Sequence, residues 1–139
     1  MRKSIALLVV LLAGTPALPA FAGGKPFTIE LTGANERPGP GDPDGQGTAW
    51  LTLNQGQEEV CFTIEVSGVQ TILAAHIHLA PTTEAGPVVV NFNVPVNGLD
   101  GCVSANADLI KAIRHNPEAY YVNVHNATFP AGALRGQLG

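Results

Sequence analysis

The chain has 139 residues, of which 45% are hydrophobic and 13% charged, and its formal net charge is −4 at pH 7. This length corresponds to one domain that can bury a single core. The acidic balance argues against a protein that binds nucleic acid or anionic membranes, because both functions need a basic face.

The first residues have the pattern of a secretory signal peptide. A basic start is followed by an apolar run over residues 5–13 and by an A-x-A cleavage site that ends at Ala22. The run is too short for a transmembrane anchor, which needs roughly 20 apolar residues. Cleavage there separates a signal peptide, residues 1–22, from a domain of residues 23–139 with no transmembrane segment. We therefore expect an exported protein, either periplasmic or secreted.

The domain contains two cysteines, Cys61 and Cys102. Export places them in an oxidising compartment, where a pair of cysteines usually bonds, so we predict a Cys61–Cys102 disulfide. The alternative is two buried free thiols, because cysteine is one of the most frequently buried residue types.

Alternation of apolar and polar residues predicts eight short strands. The pattern is clearest in residues 60–66, where Val60, Phe62 and Ile64 point to one face and the polar residues between them to the other. Clusters of glycine, proline and asparagine separate the strands. The predicted strands are residues 27–31, 48–54, 60–66, 74–79, 88–92, 101–104, 120–125 and 133–138.

The apolar period changes to that of a helix over residues 107–114. Leu109, Ile110 and Ile113 form an apolar stripe there, and Asn106 is placed as the N-cap. One short helix among many evenly spaced strands is typical of an antiparallel sandwich or barrel. We therefore expect a single all-β domain.

The histidines lie on predicted strands. Side chains alternate between the faces of a strand, so His76 and His78 point the same way. In the strand of residues 120–125, His125 shares a face with Tyr121 and Asn123. If these two strands approach each other, three imidazoles converge.

Five motifs in this chain occur together in one known family. They are LTGANERP at 31–38, AHIH at 75–78, GPVV at 86–89, YYVNVH at 120–125 and PAGALRGQL at 130–138. In this order they resemble the CHRD family, whose domains occur in chordin and alone in exported bacterial proteins. The resemblance implies an immunoglobulin-like or superoxide-dismutase-like β-sandwich and an exported domain, but no reaction. The chain departs from the family pattern at residues 79–85, where a glycine-rich loop is typical.

Metal binding is the sharpest hypothesis for the histidines. Imidazole suits copper and zinc, and an H-x-H pair on one strand places two imidazoles on one metal, as in the Cu/Zn superoxide dismutases. His76, His78 and His125 are the candidate ligands, with His115 as a fourth only if the helix folds back over the site. The further histidine cluster of a dismutase is absent from the sequence. The alternative is structural histidines that each bond a carbonyl and close a polar gap.

Glu36 and Arg135 are the other polar residues in the family motifs. The Arg135 guanidinium is expected to pair with a carboxylate, for which Glu36 and Glu65 are candidates. The pair is either a recognition site for an acidic or amide group, or an ion pair that ties the last strand to the first loop.

Catalytic signatures are missing from the sequence, which has no G-x-S-x-G motif and no glycine-rich phosphate loop before a helix. We predict a non-catalytic exported module, binding or structural, whose partner is an extracellular protein or a metal ion. The alternative from the enzyme class is a copper redox protein with dismutase-like chemistry.

Overall fold

The computed structural model describes residues 24–139, and eight antiparallel strands account for most of the regular structure in this part of the chain. The eight predicted strands are all confirmed, most of them with ends that differ by one or two residues. The strands are β1 (Lys25–Thr32), β2 (Gln46–Asn54), β3 (Glu59–Ser67), β4 (Ala74–Leu79), β5 (Val88–Asn91), β6 (Asp100–Ser104), β7 (Tyr120–His125) and β8 (Leu134–Gln137).

All eight strands belong to one sheet with the order β5-β4-β7-β8-β1-β2-β3-β6. The junction between its two halves is narrow, because β1 and β8 pair only at Thr32 and Arg135. The halves fold over a common core, in which Phe62 of β3 stacks on Phe92, just after β5, with ring centroids 4.4 Å apart. The predicted all-β antiparallel sandwich is confirmed. It is a single sheet folded on itself, close to a barrel.

Two α-helices connect strands in this part of the chain, α1 (Val94–Asn97) and α2 (Ala107–His115), together with two short 3-10 helices, Gly33–Asn35 and Pro117–Ala119. The predicted helix is α2, and the Asn106 side chain caps it by accepting hydrogen bonds from the backbone N–H groups of Asp108 and Leu109. The single turn of α1 was not predicted, since four residues are too few to show a helical period. Neither helix is long and apolar enough to cross a membrane.

The predicted disulfide is present between Cys61 of β3 and Cys102 of β6. The two residues lie directly opposite each other in the antiparallel ladder. The bond therefore joins the edge strand β6 to the body of the sheet, immediately before α2. The predicted signal peptide lies outside the described residues.

Candidate metal centre

Strands β4 and β7 pair side by side and carry the three predicted histidines on one outer face. The register sets Ala74 opposite His125, His76 opposite Asn123 and His78 opposite Tyr121. The residues that alternate with these along each strand point inward, so the other face of the same two strands lies in the core. The two strands that the sequence analysis singled out are thus direct neighbours.

The three imidazoles form a compact cluster. One ring nitrogen from each of His76, His78 and His125 lies within 4.8 Å of the other two. His76 Nδ1 and His125 Nε2 are 3.1 Å apart, a separation that a shared proton or a shared ion can bridge. Zinc–imidazole bonds of about 2.0–2.1 Å at tetrahedral angles put ligand nitrogens about 3.4 Å apart. Small side-chain rotations would therefore bring all three nitrogens onto one metal ion.

Backbone carbonyls orient two of these rings. His78 Nδ1 donates to the carbonyl of Gly86 at 2.8 Å, and His125 Nδ1 donates to the carbonyl of Pro130 at 3.0 Å. In this tautomer the Nε2 atom of His78 carries a lone pair. His78 Nε2 is buried and has no hydrogen-bond partner among the described residues. Metal-binding histidines are commonly held in this way, with the second ring nitrogen donating to a carbonyl.

Burial keeps the cluster neutral. Desolvation, together with the nearby His125 and His78 rings, lowers the pKa of His76 to about 4. Desolvation is also the main cause of the lowered pKa values of His78 and His125. At neutral pH the lone pairs are therefore free of protons, and neutral imidazole is the form that binds metals.

Asn123 connects the histidines to a buried carboxyl group. Its side-chain oxygen lies 2.9 Å from His125 Nε2, and its side chain also interacts with Glu36. The sequence analysis placed Asn123 on the histidine face but did not include it among the site residues. The strand phase was the available signal, because an amide at the centre of a histidine face is in position to bond the rings.

Tyr121 separates His78 from Arg135 on the same face. The His78 and Tyr121 rings are stacked, with centroids 4.8 Å apart, and the Arg135 guanidinium carbon lies 3.5 Å from the Tyr121 ring centroid. The Tyr121 hydroxyl accepts a hydrogen bond from the backbone N–H of Gly86. Gly86 thus contacts both Tyr121 and His78, which positions its carbonyl for the His78 ring.

Arg135 ties down the loop of residues 80–87, which follows β4. Its Nη1 donates to the carbonyl of Glu84 and its Nη2 to the carbonyl of Pro81. None of its hydrogen bonds within residues 24–139 reaches the carboxylate of Glu36, which acts on it only as a nearby charge. The Arg135 guanidinium therefore bonds the 80–87 loop, and it does so through backbone carbonyls.

Glu36 is buried without a full set of partners. Only 3% of the residue is exposed, and its Oε1 has no hydrogen bond within the described residues. The carboxyl group packs against Gly132, where a Cβ atom would come within 2.4 Å of Glu36 Cδ. Burial raises the pKa of Glu36 to about 7, although the positive charge of Arg135 opposes this shift.

Replacing Glu36 by glutamine is expected to change how stability depends on pH. The pKa of Glu36 in the folded protein, about 7, is above its ordinary value of 4.5, so the folded protein binds this proton more tightly than the unfolded chain. The stability from this group is fully present below about pH 4.5 and is lost as the pH rises through 7. At pH 8, the free energy of unfolding of Glu36→Gln should be about 3 kcal/mol higher than that of the unchanged protein.

Urea unfolding at pH 4.5 and pH 8 measures this difference. The two proteins should be about equally stable at pH 4.5, where the Glu36 carboxyl is neutral in the folded protein and only half ionised in the unfolded chain. Glu118→Gln, at an exposed position, is the control and should match the unchanged protein at both pH values. An equal difference for Glu36→Gln at both pH values would contradict the raised pKa.

The fold and this face define a class of protein, an antiparallel β-domain that carries a half-buried histidine cluster on the outer side of its sheet. A family model described as the CHRD domain matches residues 27–138. The chain belongs to the CHRD family, as the sequence motifs indicated. Comparisons with curated proteins and with solved structures find no significant match.

Proposed function

We propose that this protein is an exported, non-catalytic CHRD module that binds one copper or zinc ion through His76, His78 and His125. The observation that carries the proposal is the orientation of His78, whose ring lies in the cluster with His76 and His125. His78 donates from Nδ1 to the backbone carbonyl of Gly86, which leaves its Nε2 lone pair for the cluster. A purely structural histidine would use both ring nitrogens, whereas His78 Nε2 is buried with no partner among the described residues.

The ligand type supports copper or zinc. Three neutral imidazoles suit both ions, and the Irving–Williams order favours copper(II) when both are supplied equally. The second group of potential ligands, Glu59, Cys61 and Cys102, is a weaker candidate because both cysteines are in the disulfide and no longer provide thiolates.

Export is supported by the same disulfide, because such bonds form and persist in oxidising compartments. An exported protein also meets copper and zinc outside the reducing cytoplasm. Intact-mass measurement of the exported protein tests the proposed cleavage after Ala22. The mass should correspond to residues 23–139, and a mass that includes residues 1–22 would contradict it.

Removing one histidine is expected to abolish the site. Chelator-treated protein should bind one copper(II) or zinc(II) ion per chain, as measured by calorimetry against a competing chelator. His125→Ala and His76→Ala should each weaken this binding at least about 100-fold, since loss of even an outer partner of a metal ligand costs about 10–100-fold.

His115→Ala is the matched control. His115 is exposed at the end of α2, where its Nδ1 bonds the carbonyl of Lys111, and it is outside the cluster. This variant should bind metal as the unchanged protein does. An unchanged affinity in His125→Ala would overturn the proposal and leave the histidines a structural role. A further measurement distinguishes the copper redox alternative from a non-catalytic metal site. A redox protein should reduce and reoxidise its bound copper rapidly over many cycles, whereas a non-catalytic site should not.

A further inference from the structure

A small cavity lies beside Arg135, on the side of the molecule where the first loop, residues 33–45 between β1 and β2, approaches β8. Its volume is about 80 Å³, and all of its lining residues are of polar or charged types. The lining residues are Asn35, Arg37, Thr82, Arg135 and Gln137. The Asn35 side chain donates to the backbone carbonyl of Arg135, which holds the first loop against β8 and brings Arg37 to the cavity.

Two guanidinium groups share this small volume. Arg135 is 1% exposed, and its hydrogen bonds go to two loop carbonyls and to the Gln137 side chain. Arg37 donates only from Nη1, to the carbonyls of Ala34 and Glu36. A guanidinium has five N–H donors. Both groups therefore keep donors that no carboxylate occupies within residues 24–139.

The acidic residues nearby do not balance these two charges. Glu36 interacts electrostatically with both arginines, but its burial leaves it only partly ionised at neutral pH. Glu84 is exposed and contacts Arg135 through its backbone carbonyl, not through its carboxylate. Burial and the like charge of Arg37 both lower the pKa of Arg135, while Glu36 and Tyr121 oppose this. A buried cation such as Arg135 is normally paired with an anion, yet no hydrogen bond of Arg135 or Arg37 within residues 24–139 reaches a carboxylate.

We propose that this cavity binds one small oxyanion of the carboxylate class, held between Arg37 and Arg135. Guanidinium groups present a planar fork of donors that matches a carboxylate, and they bind it bidentately. The volume favours a small ligand, because a cavity of about 150 Å³ accommodates benzene. Formate, acetate and bicarbonate have three or four non-hydrogen atoms and match about half that volume.

This site is separate from the proposed metal site and does not depend on it. Strand β7 lies between β4 and β8, so Tyr121 stands between the His78 ring and the Arg135 guanidinium. The oxyanion would lie on the far side of Arg135, among residues of β8, the first loop and the 80–87 loop.

The test is titration of the metal-free protein with sodium acetate in a buffer without chloride or carboxylates. Calorimetry and saturation-transfer NMR of the acetate methyl group should show one saturable site. Arg37→Gln should weaken acetate binding at least about tenfold, since a charge-assisted bidentate contact is lost. Arg37→Lys retains the charge without the fork and should give an intermediate affinity. Sulfate, which is larger, should compete poorly.

Arg114→Gln is the control, because Arg114 lies in the last turn of α2 and does not line the cavity. The affinity of this variant for acetate should match that of the unchanged protein. Arg37 is the chosen variant because its own hydrogen bonds are confined to neighbouring carbonyls, so its removal leaves the 80–87 loop in place. Absence of saturable binding up to about 100 mM acetate would overturn the proposal. So would equal affinities for Arg37→Gln and Arg114→Gln.

Discussion

Replacing Arg135 by methionine is expected to lower the free energy of unfolding by about 3 kcal/mol. Methionine has a similar length but no donors, so the carbonyls of Pro81 and Glu84 lose their charged partner. A hydrogen bond to a charged group contributes about 1.5–3 kcal/mol. The contact of the guanidinium with the Tyr121 ring is lost as well. Relief of the buried charge offsets part of this cost, which keeps the expected total moderate.

The same substitution should weaken metal binding about tenfold or more, without touching a proposed ligand. Arg135 holds the 80–87 loop, and that loop supplies the Gly86 carbonyl that orients His78. Outer partners of this kind typically affect metal affinity 10–100-fold.

Urea unfolding and amide hydrogen exchange of the 80–87 loop measure the effect, and Arg114→Met is the control. Faster exchange in this loop together with lower stability is the expected result for Arg135→Met. Exchange that stays as slow as in the unchanged protein would show that Arg135 does not hold the loop.

Removing the disulfide is expected to cost about 4 kcal/mol of stability. Cys61 and Cys102 are separated by 41 positions in the sequence, and in the chain-entropy model a closed loop of this length restricts the unfolded chain by about that amount. Cys61 is only partly buried and Cys102 is exposed, so the double variant Cys61→Ser, Cys102→Ser leaves no apolar cavity. The difference in stability therefore reports the cross-link itself.

Urea unfolding with and without a reducing agent provides the control within one experiment. The reductant should lower the stability of the unchanged protein to about that of the double variant, and it should leave the double variant unaffected. Equal stability of the oxidised and reduced protein would contradict a stabilising role for this bond.

The sequence alone was sufficient for the local structure. The alternation in residues 60–66 predicted β3, observed as Glu59–Ser67, and the stripe with its N-cap predicted α2. Strand phase also assigned His76, His78 and His125 to their faces, since alternation depends only on neighbouring residues. The disulfide followed from the number of cysteines and the expected compartment. The family motifs could also be recognised from the sequence, because each is a contiguous stretch of the chain.

Only the tertiary structure decided which strands are neighbours. The pairing of β4 with β7 joins segments more than 40 residues apart in the chain, and it depends on how both halves of the sheet close over the core. The convergence of the histidines and the burial of Glu36 follow from that closure. The partners of Arg135 were also beyond the sequence, because it bonds backbone carbonyls of the 80–87 loop, and every residue type has a carbonyl. Side-chain patterns assign residues to faces, whereas packing of the whole chain determines what each face meets.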